Sequence, residues 1–113
     1  MDCIFCKIIA GEIPADKVLE TDEILAFHDI HPAAPVHVLI VPKKHVDSIQ
    51  ALSAETLPLV MPLHAAIREV AERTGIAEEG YRVISNIGEG AGQTVMHLHY
   101  HVLGGRKLGA KLL

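Results

Sequence analysis

One long stretch of helical periodicity, set between short segments typical of strands, constrains the fold of this chain more than any other feature. Across residues 53–74 apolar side chains recur about every 3.6 positions. Gly75 is placed to end this helix, while Pro58 and Pro62 indicate a kink or a late start. The predicted apolar stripe comprises Leu57, Val60, Met61, His64, Ile67 and Ala71. With a single long helix, the chain lacks the strand–helix alternation of a doubly wound parallel sheet.

Five short apolar segments predict the strands of the fold. The segment PVHVLIVPK, residues 35–43, is continuously apolar and β-branched, which predicts a strand buried on both faces. A short helix is predicted before the first strand and should end near Gly11. The strands are predicted at 18–21, 23–30, 35–43, 81–87 and 96–104. This order predicts an α+β fold, an antiparallel five-stranded sheet with one long helix on one face and one or two short helices.

Size and charge narrow the class of protein. The chain has 113 residues, which predicts a single domain over 1–113. Its formal net charge is −4, with acidic and basic residues interspersed, so broad electrostatic binding to nucleic acid is not expected. Apolar runs fall short of the roughly 20 residues of a membrane span. The first residues do not resemble a signal peptide. A cytoplasmic protein that binds neither nucleic acid nor membrane is expected.

Cys3 and Cys6 form a C-x-x-C motif at the start of the chain. A disulfide is the weaker interpretation for a chain without an export signal. A redox role is disfavoured because a thioredoxin-like motif follows a strand, and none is predicted here. Metal binding is therefore favoured, and two free, small apolar cysteines remain the alternative.

Three histidines alternate along the last predicted strand, at His97, His99 and His101. Residues two apart on a strand share a face, so the three imidazoles point the same way, about 6.7 Å apart. A zinc ion, with Zn–N distances of about 2 Å, can hardly bind all three. A division of labour is expected instead, with the central His99 as a nucleophile toward phosphorus. The glycine-rich loop at 88–94 can offer main-chain N–H groups to a phosphate.

Several motifs together resemble the histidine triad (HIT) family. Residues 97–103, HLHYHVL, match its alternating histidine motif, and CIFCKIIAGEIPA matches its N-terminal segment. Residues 26–45 resemble its nucleotide-binding region, and 92–106 its active-site strand. Chain length and the LGGR near the end are similar to the Hint-like branch, the purine nucleoside phosphoramidate hydrolases.

This resemblance implies a function and a set of site residues. It implies a HIT-like homodimer with one sheet continuous across both protomers, and a two-step reaction through a nucleotidyl-histidine. His99 would be the nucleophile, supported by His101 and His37, with Thr94 where many relatives have Ser. The implied nucleotide-binding residues are Phe5, Ile8, Phe27 and Ile30 around the base, Asp29 on the ribose, and Asn86, Gly92, Gln93 and Val95 with Thr94 at the phosphate.

The resemblance also assigns a partner set to the cysteines. Some bacterial HIT proteins, and the related galactose-1-phosphate uridylyltransferases, carry a structural zinc. By motif position its ligands here would be Cys3, Cys6, His45 and His97, a sound tetrahedral set. No organic cofactor is implied.

The leading hypothesis is therefore an enzyme that cleaves a P–N or P–O bond at the α-phosphate of a purine nucleoside phosphoramidate. The product would be AMP or GMP. The alternative is a nucleotide-binding regulatory module with little catalysis, which would use the same pocket. A zinc-binding structural module ranks last, because it leaves His99, His101 and Asp29 without a role.

Overall fold

Five strands and two α-helices make up the computed structural model, which describes residues 3–113; residues 1 and 2 of the predicted domain lie outside it. The elements are α1 (Ile4–Ile9), β1 (Lys17–Glu20), β2 (Ile24–His28), β3 (Val36–Pro42), α2 (Val60–Arg73), β4 (Arg82–Ile84) and β5 (Tyr100–Gly104). The strands form one antiparallel sheet in the order β1-β2-β3-β5-β4. The predicted α+β architecture is confirmed. Within residues 3–113, no helix is both long and apolar enough to cross a membrane.

The central strand β3 is buried on both faces, as its continuous apolar run predicts. Side chains alternate between the two faces of a strand, so each face of the sheet builds a separate apolar layer. The layer under α2 includes Ile24, Ala26, Val38, Ile40, Tyr100 and Val102. The layer on the other face contains Leu25, Phe27, Leu39 and Val41, covered by Phe5 and Ile8 of α1. The second layer is the smaller one, and helix α1 covers it.

Helix α2 begins later than the periodicity indicated, and its buried stripe is displaced. A 3-10 helix at Leu57–Leu59 holds Pro58, and Pro62 lies in the first turn of α2, whose N–H groups have no partner within the helix. The buried side chains are Leu63, Ala66, Ile67, Val70 and Ala71. Met61, placed by the prediction in the stripe, is 80% exposed. The 3-10 turn has about 3.0 residues rather than 3.6, which shifts the phase.

The last two strands are shorter than predicted. Strand β5 begins at Tyr100, so His97 and His99 precede it instead of lying within it. Two contacts take the preceding segment out of the ladder: Leu98 donates its N–H to the carbonyl of Val46, and the His97 imidazole donates from Nε2 to the carbonyl of Pro42 at 2.8 Å. In this segment the His97 side chain, and not a main-chain ladder bond, therefore makes the hydrogen bond to β3.

Candidate active site

A cavity of about 620 Å³ lies between α1, the end of β2 and the segment that leads into β5. Its walls are mostly apolar and its inner end carries imidazoles. The lining includes Ile4, Phe5, Ile8, Ile13, Phe27 and Leu39 as apolar groups, and Asp29, Thr94, His99 and His101 as polar ones. An apolar cleft with a few convergent polar groups is the usual form of a small-molecule site.

The hydrogen bond at Nδ1 of His99 fixes the state of its ring. Nδ1 lies 2.7 Å from the main-chain carbonyl oxygen of His97. Because a carbonyl only accepts, Nδ1 carries the proton in the neutral ring, and we assign the lone pair to Nε2. The ring is buried and lies edge-on to that of Phe5, with 5.1 Å between centroids. His99 thus lines the cavity with a ring that is protonated on Nδ1 and carries its lone pair on Nε2.

A second chain of hydrogen bonds fixes the state of His101. Ala33 donates its main-chain N–H to Nδ1 of His37 at 3.0 Å, so His37 carries its proton on Nε2. This Nε2 lies 2.9 Å from Nδ1 of His101 and donates to it. The neutral ring of His101 then carries its own proton on Nε2. The adjacent rings of His99 and His101, with centroids 5.1 Å apart, thus differ in what Nε2 offers, a lone pair on one and an N–H on the other.

Burial keeps His101 neutral. Loss of solvation, with repulsion from His99 and His37, lowers the pKa of His101 from 6.5 to about 4, and Asp29 offsets this only in part. At neutral pH the ring therefore acts as a hydrogen-bond donor without a positive charge. The pKa of His97 is lowered as well, first by burial.

Asp29 follows β2 and turns back toward the cavity. Its Oδ1 accepts from the N–H of His31 at 2.8 Å, an Asx turn that orients the carboxylate. Its Oδ2 lies 3.4 Å from Nε2 of His37. The remaining lone pairs of the carboxylate are available to a ligand hydroxyl.

Gln93 is buried and holds together the glycine-rich loop that precedes Thr94. Its side-chain carbonyl accepts from the N–H of Gly88, and its amide group donates to the carbonyls of Asp47 and Val95. The Gln93 main-chain N–H donates to the carbonyl of Gly88. The side-chain amide and the main-chain N–H of Gln93 are thus both engaged inside the protein, and the phosphate contact predicted for Gln93 stays a prediction.

The structure brings most of the predicted site residues to one cavity. Those that line it are Phe5, Ile8, Phe27, Asp29, Ile30, Thr94, Val95, His99 and His101. His37 lies behind His101, while Asn86, Gly92 and Gln93 lie outside the lining. Sequence reasoning missed the wall formed by Ile13, Pro14 and Ala15, although these residues stand in the motif that carried the resemblance. His28 and His31, to which the sequence analysis gave no role, line the cavity as well.

A second cluster lies beside the cavity and consists of Cys3, Cys6, His45 and His97. Their ligand atoms lie within 4.8 Å of one another, and we call this group the Cys/His cluster. Cys3 is the N-cap of α1 and Cys6 lies within that helix, while His45 follows β3 and His97 precedes β5. Residues distant in the sequence therefore converge at the start of α1, and this cluster could hold a metal ion.

The chemistry of the Cys/His cluster fits a zinc ion. His97 donates from Nε2 to the Pro42 carbonyl, and His45 from Nε2 to Asp47 at 2.9 Å, which leaves both Nδ1 lone pairs free. Nδ1 of His97 lies 3.4 Å from Sγ of Cys3, and Nδ1 of His45 lies 3.3 Å from Sγ of Cys6. Tetrahedral Zn–S and Zn–N bonds of about 2.3 and 2.0–2.1 Å imply sulfur–nitrogen separations of about 3.5 Å.

Asp29, His37 and His101 also converge closely enough for a metal ion. The tautomer of His37 argues against such a site. The N–H of Ala33 occupies Nδ1 of His37, so its proton lies on Nε2, the atom that would have to bind the metal. His37 and His101 are hydrogen-bonded to each other instead, and the Asp29 carboxylate lies 3.4 Å from Nε2 of His37.

Comparison with known proteins identifies the family of this chain. A family profile described as "HIT domain" matches residues 10–108 of the chain. The chain therefore belongs to the HIT family. The purine nucleoside phosphoramidase of Escherichia coli is 44% identical over 111 residues, which cover 98% of this chain and 93% of the relative.

Solved structures agree with this placement. A HIT family hydrolase from Clostridium thermocellum superposes with a TM-score of 0.97 at 49% identity, covering 99% of this chain and 97% of that one. A histidine triad protein from Clostridium difficile gives a TM-score of 0.94, also at 49% identity, with the same coverage of both chains. The chain is thus a HIT family hydrolase.

Proposed function

We propose that this protein hydrolyses purine nucleoside phosphoramidates through a covalent nucleotidyl intermediate on His99. The observation that carries the proposal is the pair of opposite ring states at the end of the cavity. Nε2 of His99 offers a lone pair, while Nε2 of His101 offers an N–H. The name of the 44% identical relative from Escherichia coli, a purine nucleoside phosphoramidase, supports the same substrate class.

The reaction follows from these two ring states. The lone pair on Nε2 of His99 attacks the α-phosphorus, an N–P bond forms, and the P–N bond to the amine breaks. The amine leaves near Thr94 with the bonding electron pair and takes a proton from solvent water. The N–H of His101 donates to a phosphoryl oxygen as charge develops there. Water then attacks the phosphorus and loses a proton to the solvent, the bond to His99 breaks with its electron pair returning to Nε2, and the nucleoside monophosphate is released. A P–O bond at the same phosphorus would be cleaved by the same steps.

The cavity suits a purine nucleoside monophosphate. Phe5, Ile8 and Phe27 form an apolar slot for the base, and Ile30, 86% exposed, stands at its rim. The Asp29 carboxylate accepts from the ribose hydroxyls. Thr94 and Val95 line the cavity next to the imidazoles, where the phosphate would lie. Gln93 holds this segment in place through its hydrogen bonds to Gly88, Asp47 and Val95, and phosphate contacts of Asn86, Gly92 and Gln93 stay predictions.

Trapping the intermediate tests the proposal. A fluorogenic adenosine phosphoramidate is mixed with the protein, denatured within milliseconds at alkaline pH because the N–P bond is acid-labile, and analysed by peptide mass spectrometry. A nucleotidyl group on His99 is expected, and none in His99→Ala, which should still bind AMP. Turnover retained in His99→Ala, or an adduct on another residue, would contradict the mechanism. Binding of AMP without any turnover would favour the regulatory module.

We also propose that the Cys/His cluster holds one structural zinc ion. Cys3, Cys6, His45 and His97 would bind it, with the Asp47 carboxylate supporting His45. When bound, zinc would hold α1 to the segment that follows β3 and to the segment that precedes β5. Elemental analysis of the purified protein is expected to give about one zinc per chain, and Cys6→Ser much less. Equal zinc content in both would contradict the assignment.

A homodimer that continues the sheet through β4 completes the proposal. The two edges of the sheet differ, because β1 carries the exposed ion pair of Lys17 and Glu20, while β4 exposes the apolar Val83 and Ile84. Charged edges resist pairing and apolar edges favour it. Light scattering should report a dimer for the unaltered protein and a monomer for Val83→Lys.

The single domain over residues 1–113 and the cytoplasmic location stay predictions.

A further inference from the structure

Helix α1 connects the Cys/His cluster to the cavity. Cys3 caps the helix and Cys6 lies within it, while the ring of Phe5 between them points to the other site. Phe5 lines the cavity, and its ring lies edge-on to His99 at 5.1 Å and to His97 at 5.9 Å. A six-residue helix held through both cysteines would fix the position of Phe5.

His97 connects the same two places through its own atoms. Its Nδ1 faces the cysteine sulfurs, and its main-chain carbonyl accepts from Nδ1 of His99 at 2.7 Å. The side chain that would bind metal and the carbonyl that orients the nucleophile thus belong to one fully buried residue. The cysteine contacts of the ring and the bond that orients His99 are therefore only one side chain apart.

We propose that metal at the Cys/His cluster positions Phe5 and His99, so that zinc and purine nucleotide bind this protein with positive coupling. This inference rests on the proposed function, because it takes the nucleotide as the ligand of the cavity. Coupling between two ligands is reciprocal, so the nucleotide raises zinc affinity by the same factor as zinc raises nucleotide affinity. A zinc ion that only stabilises the fold, without contact to the cavity, would leave nucleotide binding unchanged once the chain is folded.

Zinc affinity measured with and without nucleotide tests this coupling. The protein competes with a chromophoric chelator for Zn²⁺ across a series of AMP concentrations, and a blank of chelator with AMP corrects for zinc bound by the nucleotide. Zinc affinity is expected to rise at least about fivefold and then to level off once AMP saturates the cavity. A rise that continues in proportion to AMP without a plateau would indicate coupling through global folding and would overturn the local mechanism.

Two variants locate the connection in α1. Phe5→Leu keeps an apolar side chain and both cysteines but loses the ring contacts to His97 and His99, so the plateau ratio should fall toward one. Ile9→Val, the matched control, removes a methylene from the same helix at a residue outside the cavity lining, and should keep the ratio. Equal ratios in the two variants would overturn the role of Phe5.

Calorimetry separates this inference from the proposed function. AMP is titrated into the zinc-loaded protein and into protein stripped with a chelator, with circular dichroism to establish that both are folded. Tighter binding to the loaded form, by the factor measured for zinc, is the expected result. Equal binding to both forms would overturn the coupling and leave the proposed function intact. Absence of AMP binding to either form would overturn both.

Discussion

Nε2 of His37 donates to Nδ1 of His101 across 2.9 Å. Through this bond His37, which lies outside the cavity lining, determines which ring nitrogen of the lining residue His101 carries the proton. The bond in turn depends on the Ala33 N–H, which holds the lone pair of His37 at Nδ1. Without these donors the neutral ring of His101 could carry its proton on either nitrogen. In the proposed reaction His37 is therefore a positioning residue for His101, the imidazole that would face the phosphate.

Replacing His37 should lower kcat far more than it changes KM. His37→Ala leaves Nδ1 of His101 without a donor, and we expect kcat to fall by about 10- to 100-fold, the usual cost of losing an orienting partner. His37→Gln can both donate and accept, so it should recover part of the loss. Steady-state kinetics with a fluorogenic adenosine phosphoramidate provide the measurement. Identical kcat values for the two variants would contradict the role.

Asp29→Asn tests the ribose contact without disturbing the turn. The amide oxygen can still accept from the His31 N–H, so the local backbone should persist. Hydrogen bonds to a charged group contribute about 1.5–3 kcal/mol, so AMP affinity measured by calorimetry should fall by roughly 10- to 100-fold. A 2′-deoxy nucleotide should lose less, because it presents fewer hydroxyls.

Asp16→Asn is the matched control for Asp29→Asn. Asp16 is an exposed residue of the same cavity lining, and its replacement removes the same charge. If both variants weakened AMP binding equally, the effect would be one of overall charge and the ribose contact would be excluded.

Local patterns predicted the architecture and the separate roles of the three histidines, while the family resemblance supplied most residues of the candidate site. The apolar run at 35–43 predicted a strand buried on both faces, and Val36–Pro42 has that position. The alternation of His97, His99 and His101 indicated separate roles for the three rings, and the structure turns His97 toward the cysteines while His99 and His101 line the cavity. Such features can be predicted from the sequence because residues that are neighbours in the chain determine them.

Features that depend on contacts between residues far apart in the sequence could not be predicted from local patterns. Strand β5 begins only at Tyr100 because Leu98 donates to Val46 and His97 to Pro42, partners far away in the sequence. The predicted phase of the apolar stripe on α2 was wrong because the 3-10 turn at Leu57–Leu59 has a different period. No local pattern marks Gln93 as the residue that ties the loop to Asp47.

Gln93→Met should destabilise the protein and slow turnover. Methionine has nearly the same volume but leaves the Gly88 N–H and the carbonyls of Asp47 and Val95 without their partner. The loss of buried hydrogen bonds is expected to lower the free energy of unfolding by about 1–3 kcal/mol, measured by urea denaturation. Gln50→Met alters an exposed glutamine and serves as the control. Equal stability of the two variants would show that the loop does not depend on Gln93.

Stability should fall as the pH is lowered from about 6.5 to about 4. Burial and neighbouring imidazoles lower the pKa of His101 from 6.5 to about 4. In this window the unfolded chain binds a proton that the folded protein does not, so acid favours unfolding. The pKa of His97 is lowered too and acts in the same direction. The free energy of unfolding, measured by urea denaturation across this range, should decrease with each step toward acid.

Replacing His101 isolates its share of this dependence. His101→Gln removes the titrating group, so the slope of stability against pH should become shallower, with His97 maintaining the remainder. His31→Gln removes an exposed histidine of the same cavity and should leave the slope unchanged. Glu20 contributes only at the acid end of the range, because Lys43 and Lys17 hold its pKa at about 2 and its effect begins below about pH 4.5. A slope in His101→Gln as steep as in the unaltered protein would show that this imidazole is not held neutral by the fold.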